Sequence, residues 1–330
     1  MNEKIDFVIL WVDSSDISWQ KEKAFYTGVK TNIDDCRYRD WDLLRYWFRG
    51  VEKFAPWVNK VHFVTYGHLP TWLNVKHPKI NIVKHEEFIP KKYLPTFNSH
   101  TIELNLHRIQ GLSERFVYFN DDMFLTNLVE KRDFFSKNFV RDTMALEPLR
   151  FDSKSIAFID SNNIALINDK YSKSEFCRKC ILQLLNPVIG FNKIIKNLLL
   201  IPFPYFTGFF NHHLASSFVK QYYKLAWELY EKELDDTCLC KVRERNNVNQ
   251  WLIKDLQIVN GIIKNRNNNF GYRININANN YNRCAKYISK QKFKIICIND
   301  NENTGEIDLI EKTIQEAFNN ILPSISSYEL

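Results

Sequence analysis

Three short apolar runs constrain this chain more than any other feature: 5-IDFVILWV-12, 60-KVHFVTYG-67 and 115-RFVYFNDD-122. Each is too short for a typical helix, is rich in β-branched or aromatic residues, and closes on polar, turn-forming or acidic residues. Runs of this kind read as strands buried on both faces, as in a parallel sheet. Between the first two, Leu44, Trp47, Phe48 and Val51 recur at helical spacing within 40–56, with Asp40 as the expected N-cap and Pro56 as the stop. A further strand is predicted over 79–85, followed by a helix over 98–112 that opens at Asn98 or Ser99. Strands alternating with helices predict an α/β fold with a doubly wound, mostly parallel sheet. Ligands of such sheets gather beyond the carboxyl ends of the strands. Asp13, Thr65 and the Asp121–Asp122 pair all fall at that end.

The second half is less regular. Helices are predicted over 214–234, 247–261 and 306–322, a strand over 291–300, and ordered loops or edge strands in the asparagine-rich stretch 262–284. Residues 169–211 mix lysine and arginine with leucine, isoleucine and phenylalanine. That stretch reads either as a helical insertion in the core or as a surface resting on an inner membrane leaflet. The expected organisation is a catalytic α/β domain over 1–140 and 212–330, interrupted by a partly helical insertion over 141–211.

Composition narrows the function classes. A net charge of +7 over 330 residues suits a polyphosphate substrate or an anionic surface as well as nucleic acid. Without an RNA-binding signature or zinc-finger spacing, no nucleic-acid partner is expected. No run approaches the roughly 18 apolar residues of a spanning helix, and the start of the chain does not read as a signal peptide. Seven cysteines without a secretory signal predict reduced thiols and a cytoplasmic setting. Cys177 and Cys180 form a CxxC, but the CxC of Cys238 and Cys240 is atypical for zinc and the pairs are far apart in sequence, so all four read as ordinary thiols. There is no Walker loop, GxGxxG, GxSxG or HExxH, which excludes P-loop kinases, dinucleotide-binding dehydrogenases, α/β-hydrolases and zincins.

Candidate chemistry starts at Asn120-Asp121-Asp122. Adjacent carboxylates at a strand end can hold a divalent metal with a diphosphate, or one of them can take a proton. Asp300, in ICINDNE, repeats the pattern. His212 or His213 could carry a proton or meet a phosphate. Arg243 and Arg245 could pair with phosphate oxygens, and Arg37, Arg39, Arg45 and Arg49 cluster about one predicted helix.

Quoted together, 5-IDFVILWVDSSD-16, residues 37–74 from RYRDWDLL to LPTWLN, and 95-PTFNSHTIELNLHRIQGLSERFVYFNDDMFL-125 resemble the Stealth family. That family comprises bacterial capsular and cell-wall polysaccharide phosphotransferases and the catalytic part of the metazoan GlcNAc-1-phosphotransferase. Weaker blocks recur from His213 to Gly261 and at 296-ICINDNENTG-305. The resemblance implies a glycosyltransferase-A-like, Rossmann-like fold. It implies transfer of hexose- or N-acetylhexosamine-1-phosphate from a UDP-sugar to a hydroxyl of a free or lipid-linked glycan, with UMP released, in capsule or cell-surface polysaccharide synthesis. The rival is a metal-dependent glycosyltransferase that releases UDP. Carried over by position, Asp121, Asp122, His213 and Arg243 would be catalytic. Asp121, Asp300 and Asn301 would hold Mg2+ or Mn2+, while Trp11, Val12, Asp13, Arg39, Arg45, Asn98, His107 and Arg108 would meet substrate. Three positions depart from the family pattern: Ser14, Ala215 and Asn247.

Overall fold

The computed structural model describes residues 3–28, 41–150, 157–300 and 307–330. Arg39, Asn301 and the expected N-cap Asp40 lie outside them. The described strands are β1 (Ile5–Leu10), β2 (Val61–Thr65), β3 (Ile80–Lys84), β4 (Arg115–Phe119), β5 (Met123–Leu125), β6 (Phe135–Ser136), β7 (Phe139–Asp142), β8 (Ser216–Val219), β9 (Ile263–Asn265), β10 (Gly271–Ile276) and β11 (Ile295–Asp300). The main sheet runs β3-β2-β1-β4-β8. Its first four strands are parallel and β8 is antiparallel to β4. Read along the sheet, 3-2-1-4 is the strand order about a doubly wound crossover, where the sheet's ligand crevice opens. The fold is mixed α/β, as the alternating pattern predicts.

The three founding runs are buried because the sheet is covered on both faces. Phe7, Val8 and Ile9 of β1 have no solvent exposure, nor do Val61, Phe63 and Val64 of β2. The helix Leu44–Phe54 lies against the sheet through Trp47, whose ring meets Phe119 edge-on at 5.6 Å, and through Phe48, 5.9 Å from Phe63. Gly50 permits the close approach, since a Cβ there would sit 3.1 Å from the Leu125 carbonyl oxygen. That helix starts three residues later than an N-cap at Asp40 implied, and Pro56 follows its end.

Two expectations need correction. Residues 216–219 are not helix but the antiparallel edge strand β8, and the helices Lys220–Leu229 and Glu231–Leu239 follow it. The open edge of β4 takes these residues because pairing satisfies backbone groups that a helix would leave unpaired on β4. The helix expected over 98–112 ends at Asn105 and tightens into a 3-10 turn, Leu106–Arg108. Two smaller sheets, β10-β11-β5 and β6-β7-β9, flank the main one. Between β7 and β8 the chain forms the helices Ala157–Lys170, Lys173–Leu184 and Phe191–Leu200. Buried Ile164, Ile167, Phe176 and Leu184 join the common hydrophobic core.

Candidate active site

The carboxyl ends of β1, β2 and β4 converge, as the sequence pattern required. After β1, Trp11 lies against Phe63 and edge-on to His68, with centroids 5.6 and 5.3 Å apart. The turn that follows is latched by His68, from the loop after β2. The Asp13 amide donates to His68 Nε2 at 2.7 Å, which leaves the ring proton on Nδ1, 3.6 Å from Asp16 Oδ2. Burial lowers the pKa of His68, in keeping with a neutral acceptor ring. Asp13 Oδ1 in turn accepts from the Ser15 amide and hydroxyl, at 2.9 and 2.6 Å. Val12 sits between these anchored residues and is half-buried.

After β4 the chain turns through Asn120-Asp121-Asp122 and enters β5, which pairs antiparallel with β11. The Ile298 amide donates to the Asp122 carbonyl at 2.8 Å. The pairing ends there, because residues 120–123 form a turn closed by the Met123 amide donating to the Asn120 carbonyl at 3.2 Å, while Asn299 and Asp300 continue β11 beside β10. The strand that ends in the second Asn-Asp motif is thus bonded, one residue before that motif, to Asp122 of the first. Asp121 is exposed on the turn, whereas Asp122 turns its carboxylate inward. Asp122 Oδ2 accepts from the Cys297 thiol at 3.2 Å, and Oδ1 is buried with no partner. Burial pushes the Asp122 pKa up to about 6, against the opposing influence of the Cys297 bond and the Arg273 charge.

Facing Asp122 is His213. One donor atom each from Asp122, His213 and Cys297 lie within 4.8 Å of one another. The backbone of His213 is left-handed at φ 50°, and its amide donates to Asn211 Oδ1 at 2.9 Å. A non-glycine residue holds that conformation only where its surroundings demand it. The Trp251 ring braces the imidazole edge-on at 5.9 Å. Burial first, then the charges of Arg273, Lys254 and Arg243, lower the His213 pKa to about 4, so the ring is neutral at ordinary pH. His212 turns away, its Nε2 2.8 Å from Thr143 Oγ1. Of the two histidines, His213 is the one at the carboxylate.

Behind this loop lies a buried ion pair. Lys254 Nζ stands 3.0 Å from Asp142 Oδ2 and 3.4 Å from Asn211 Oδ1. On another side, Arg243 donates to Ser99 Oγ through Nε and Nη2 at 3.0 and 2.6 Å, at the N-terminal end of the helix Ser99–Asn105. Glu103, on that helix, is buried. It accepts from Tyr118 Oη at 3.2 Å, and the same hydroxyl lies 2.6 Å from Asn120 Oδ1. Burial raises the Glu103 pKa to about 7 despite the Arg243 charge.

The other sequence candidates have the following surroundings. Asn98 is fully buried, caps the helix through the His100 amide and donates to Asn247 Oδ1 at 2.9 Å. His107 stacks on Tyr223 and Arg108 lies over Trp227. Both are eight or nine residues past Ser99, roughly 12 Å along a helix axis. Arg45 lies over Trp72 and 3.6 Å from Asp42, and Arg49 is bound to Glu329 near the end of the chain. The Trp41 indole donates to Asp300 Oδ2 at 3.0 Å. Among the described residues six cysteines are free, and Cys177, Cys180 and Cys238 are buried thiols. Sequence reasoning missed Cys297, Arg273, Glu103, Lys254 and His68. The alternation in 271-GYRINI-276 and 295-IICIND-300 does mark one polar face carrying Arg273, Asn275, Cys297 and Asn299.

Models of Stealth conserved region 1 and conserved region 2 match residues 3–28 and 37–143. The capsular polysaccharide phosphotransferase WcwK of Streptococcus pneumoniae is 40% identical over 334 residues, covering 99% of this chain and 98% of its own. The chain belongs to the Stealth family. Another relative of this Stealth protein, the exopolysaccharide phosphotransferase cps2G of Lactiplantibacillus plantarum, is 36% identical over 98% of this chain and 96% of its own. The receptor polysaccharide phosphotransferase WefC of Streptococcus oralis is 37% identical over 99% of each. Among solved structures, the galactosyltransferase LgtC in complex with donor and acceptor sugar analogues aligns over 98% of both chains, at 10% identity and a TM-score of 0.40. This Stealth protein is thus an enzyme of the phosphotransferase class. Among its described residues no helix is long and apolar enough to cross a membrane.

Proposed function

We propose that this chain transfers a sugar-1-phosphate from a UDP-sugar to a glycan hydroxyl in cell-surface polysaccharide synthesis, releasing UMP. The observation that carries this reading is the meeting of Asp122 with His213 at the acidic turn after β4, on the crevice side of the sheet. In the reaction an acceptor oxygen bonds to the sugar-proximal phosphorus, the bridging P–O bond to the second phosphate breaks, and the electron pair leaves with UMP. The acceptor proton goes to Asp122 Oδ1, the buried oxygen without a partner. A carboxyl group titrating near 6 is well matched to that task near neutrality. Arg243 and Arg273 supply positive charge toward the transferring phosphoryl group, and neutral His213 orients its oxygens by hydrogen bonding. Trp11, Val12 and Asp13, anchored by His68, would hold the nucleotide.

A divalent ion fits one part of this site better than another. Magnesium and manganese prefer oxygen ligands, and magnesium is commonly held by one or two carboxylates together with substrate phosphates. Exposed Asp121, with Asp300 at the end of β11 as a further carboxylate, suits such an ion arriving with the diphosphate. The Asp122–His213–Cys297 group, with one imidazole and one thiol among three donors, suits a softer cation. When bound, the ion would neutralise diphosphate charge. The test is incubation with a panel of UDP-sugars and acceptor glycans, scoring nucleotide products. UMP is expected, and UDP would refute phosphoryl transfer in favour of simple glycosyl transfer.

A further inference from the structure

The helix Phe191–Leu200 carries an apolar stripe on the wrong side. Phe191, Ile195, Leu198 and Leu199 follow the i, i+4, i+7, i+8 pattern and fall within an arc of roughly 100°, yet all four are exposed, Phe191 at 74% and Leu199 at 67%. The opposite side of the helix is the one anchored in the protein. Buried Asn197 donates to the Leu184 carbonyl at 2.6 Å and accepts from the Leu146 amide at 2.7 Å, and Leu200 joins the core. The stripe continues past the helix through Pro202, Phe203, Pro204 and Tyr205, all exposed. Isolated exposed leucines are ordinary, but a continuous apolar ridge is a contact surface.

We propose that this ridge docks on an anionic lipid bilayer. Its form and charge both favour that occupant. The surface is a convex helix face, which lies in a bilayer interface rather than receiving a peptide. From Lys170 to Tyr205 the chain carries six lysines and arginines against one carboxylate, Glu175. Arg178 and Lys179 stand exposed on the preceding helix, and Lys196, which is paired with Glu147, borders the stripe. Basic residues flanking an apolar face draw it to anionic headgroups. From the ridge, the segment 201–210 leads directly to Asn211 and His213. Phe210 links the two regions, with its ring 4.1 Å beneath Lys193 Nζ and 4.6 Å from His212. On the reading given under Proposed function, docking here presents the site to an acceptor carried on lipid.

The test uses the full chain in co-sedimentation with phosphatidylcholine vesicles, with and without phosphatidylglycerol. Binding is expected to the phosphatidylglycerol vesicles and to weaken as salt is raised. The double substitution Leu198→Glu, Leu199→Glu should reduce the partition coefficient about tenfold or more. Ile325→Glu, at an exposed apolar position elsewhere, should leave it unchanged. Circular dichroism checks that each variant is folded. The proposal is overturned if the wild type ignores anionic vesicles, if the double variant binds equally well, or if light scattering shows a dimer that the same substitutions dissociate. The readout is binding rather than turnover, so a failed phosphotransferase assay and a failed docking test remain distinct results.

Discussion

Replacing Lys254 with methionine isolates the device that holds the His213 loop in place. Lys254 and Asp142 are each only 5% exposed at the side chain, and their charged groups are 3.0 Å apart. Removing one partner of a buried pair costs roughly 3–5 kcal/mol, because the other charge stays buried. Here Asp142 keeps its 2.7 Å bond from the Thr143 amide and the Arg266 guanidinium at 3.9 Å, so the expected loss is about 2–4 kcal/mol. Burial alone would raise the Asp142 pKa, but the Lys254, Arg266 and His212 charges outweigh it and hold the carboxyl below its usual range. In the wild type, its contribution is therefore present above the unfolded pKa and lost as pH falls through the lower, folded value. Without Lys254 the burial effect gains weight, Asp142 is protonated more readily, and the destabilisation should shrink between pH 7 and pH 4. Urea unfolding followed by tryptophan fluorescence at several pH values measures this. In a cycle with Asp142→Leu, the double variant should cost less than the sum of the singles by about 1–3 kcal/mol. Turnover should also fall about tenfold, since Asn211 loses the lysine that helps set the strained His213 backbone. A loss under about 1 kcal/mol, or strict additivity, would refute the reasoning.

The remaining predictions concern the carboxylates and the arginine. Asp122→Asn should remove about 10²–10⁴-fold in kcat at every metal concentration, as expected for loss of a proton acceptor, while the thermal midpoint holds or rises. Asp121→Asn should instead raise the magnesium concentration required for half-maximal rate about tenfold, with kcat recovered at saturation; metal titrations of both variants separate the roles. Glu103, held at about 7 by burial, binds more protons folded than unfolded between about pH 4.5 and 7, so its contribution to stability declines as pH rises through that window. Glu103→Gln should flatten this decline by up to about 3 kcal/mol, seen in denaturation at pH 5 and pH 8. Arg243→Lys keeps the charge but loses the fork on Ser99, and kcat/KM should drop roughly 10–100-fold.

Much of the sheet was legible because its signals are local. Apolar runs of five to eight residues bounded by turn residues become β1, β2, β3 and β4, since a strand buried on both faces needs no polar alternation. Asn98 was readable as a cap for the same reason, its side chain serving an amide two residues on. The acidic turn after β4 falls at the crevice because parallel strands all point one way.

What the tertiary structure alone decided are the matters that depend on distant partners. Residues 216–219 have a composition compatible with helix, and only the unpaired edge of β4 makes them a strand. Which of His212 and His213 faces Asp122 rests on one left-handed backbone held by Asn211 and Lys254. Cys297 and Arg273 enter the site through the pairing of β10, β11 and β5, which turns an ordinary two-residue alternation into a polar wall facing Asp122. Sequence determines local preference over a few residues, while register and burial settle which of those preferences face one another.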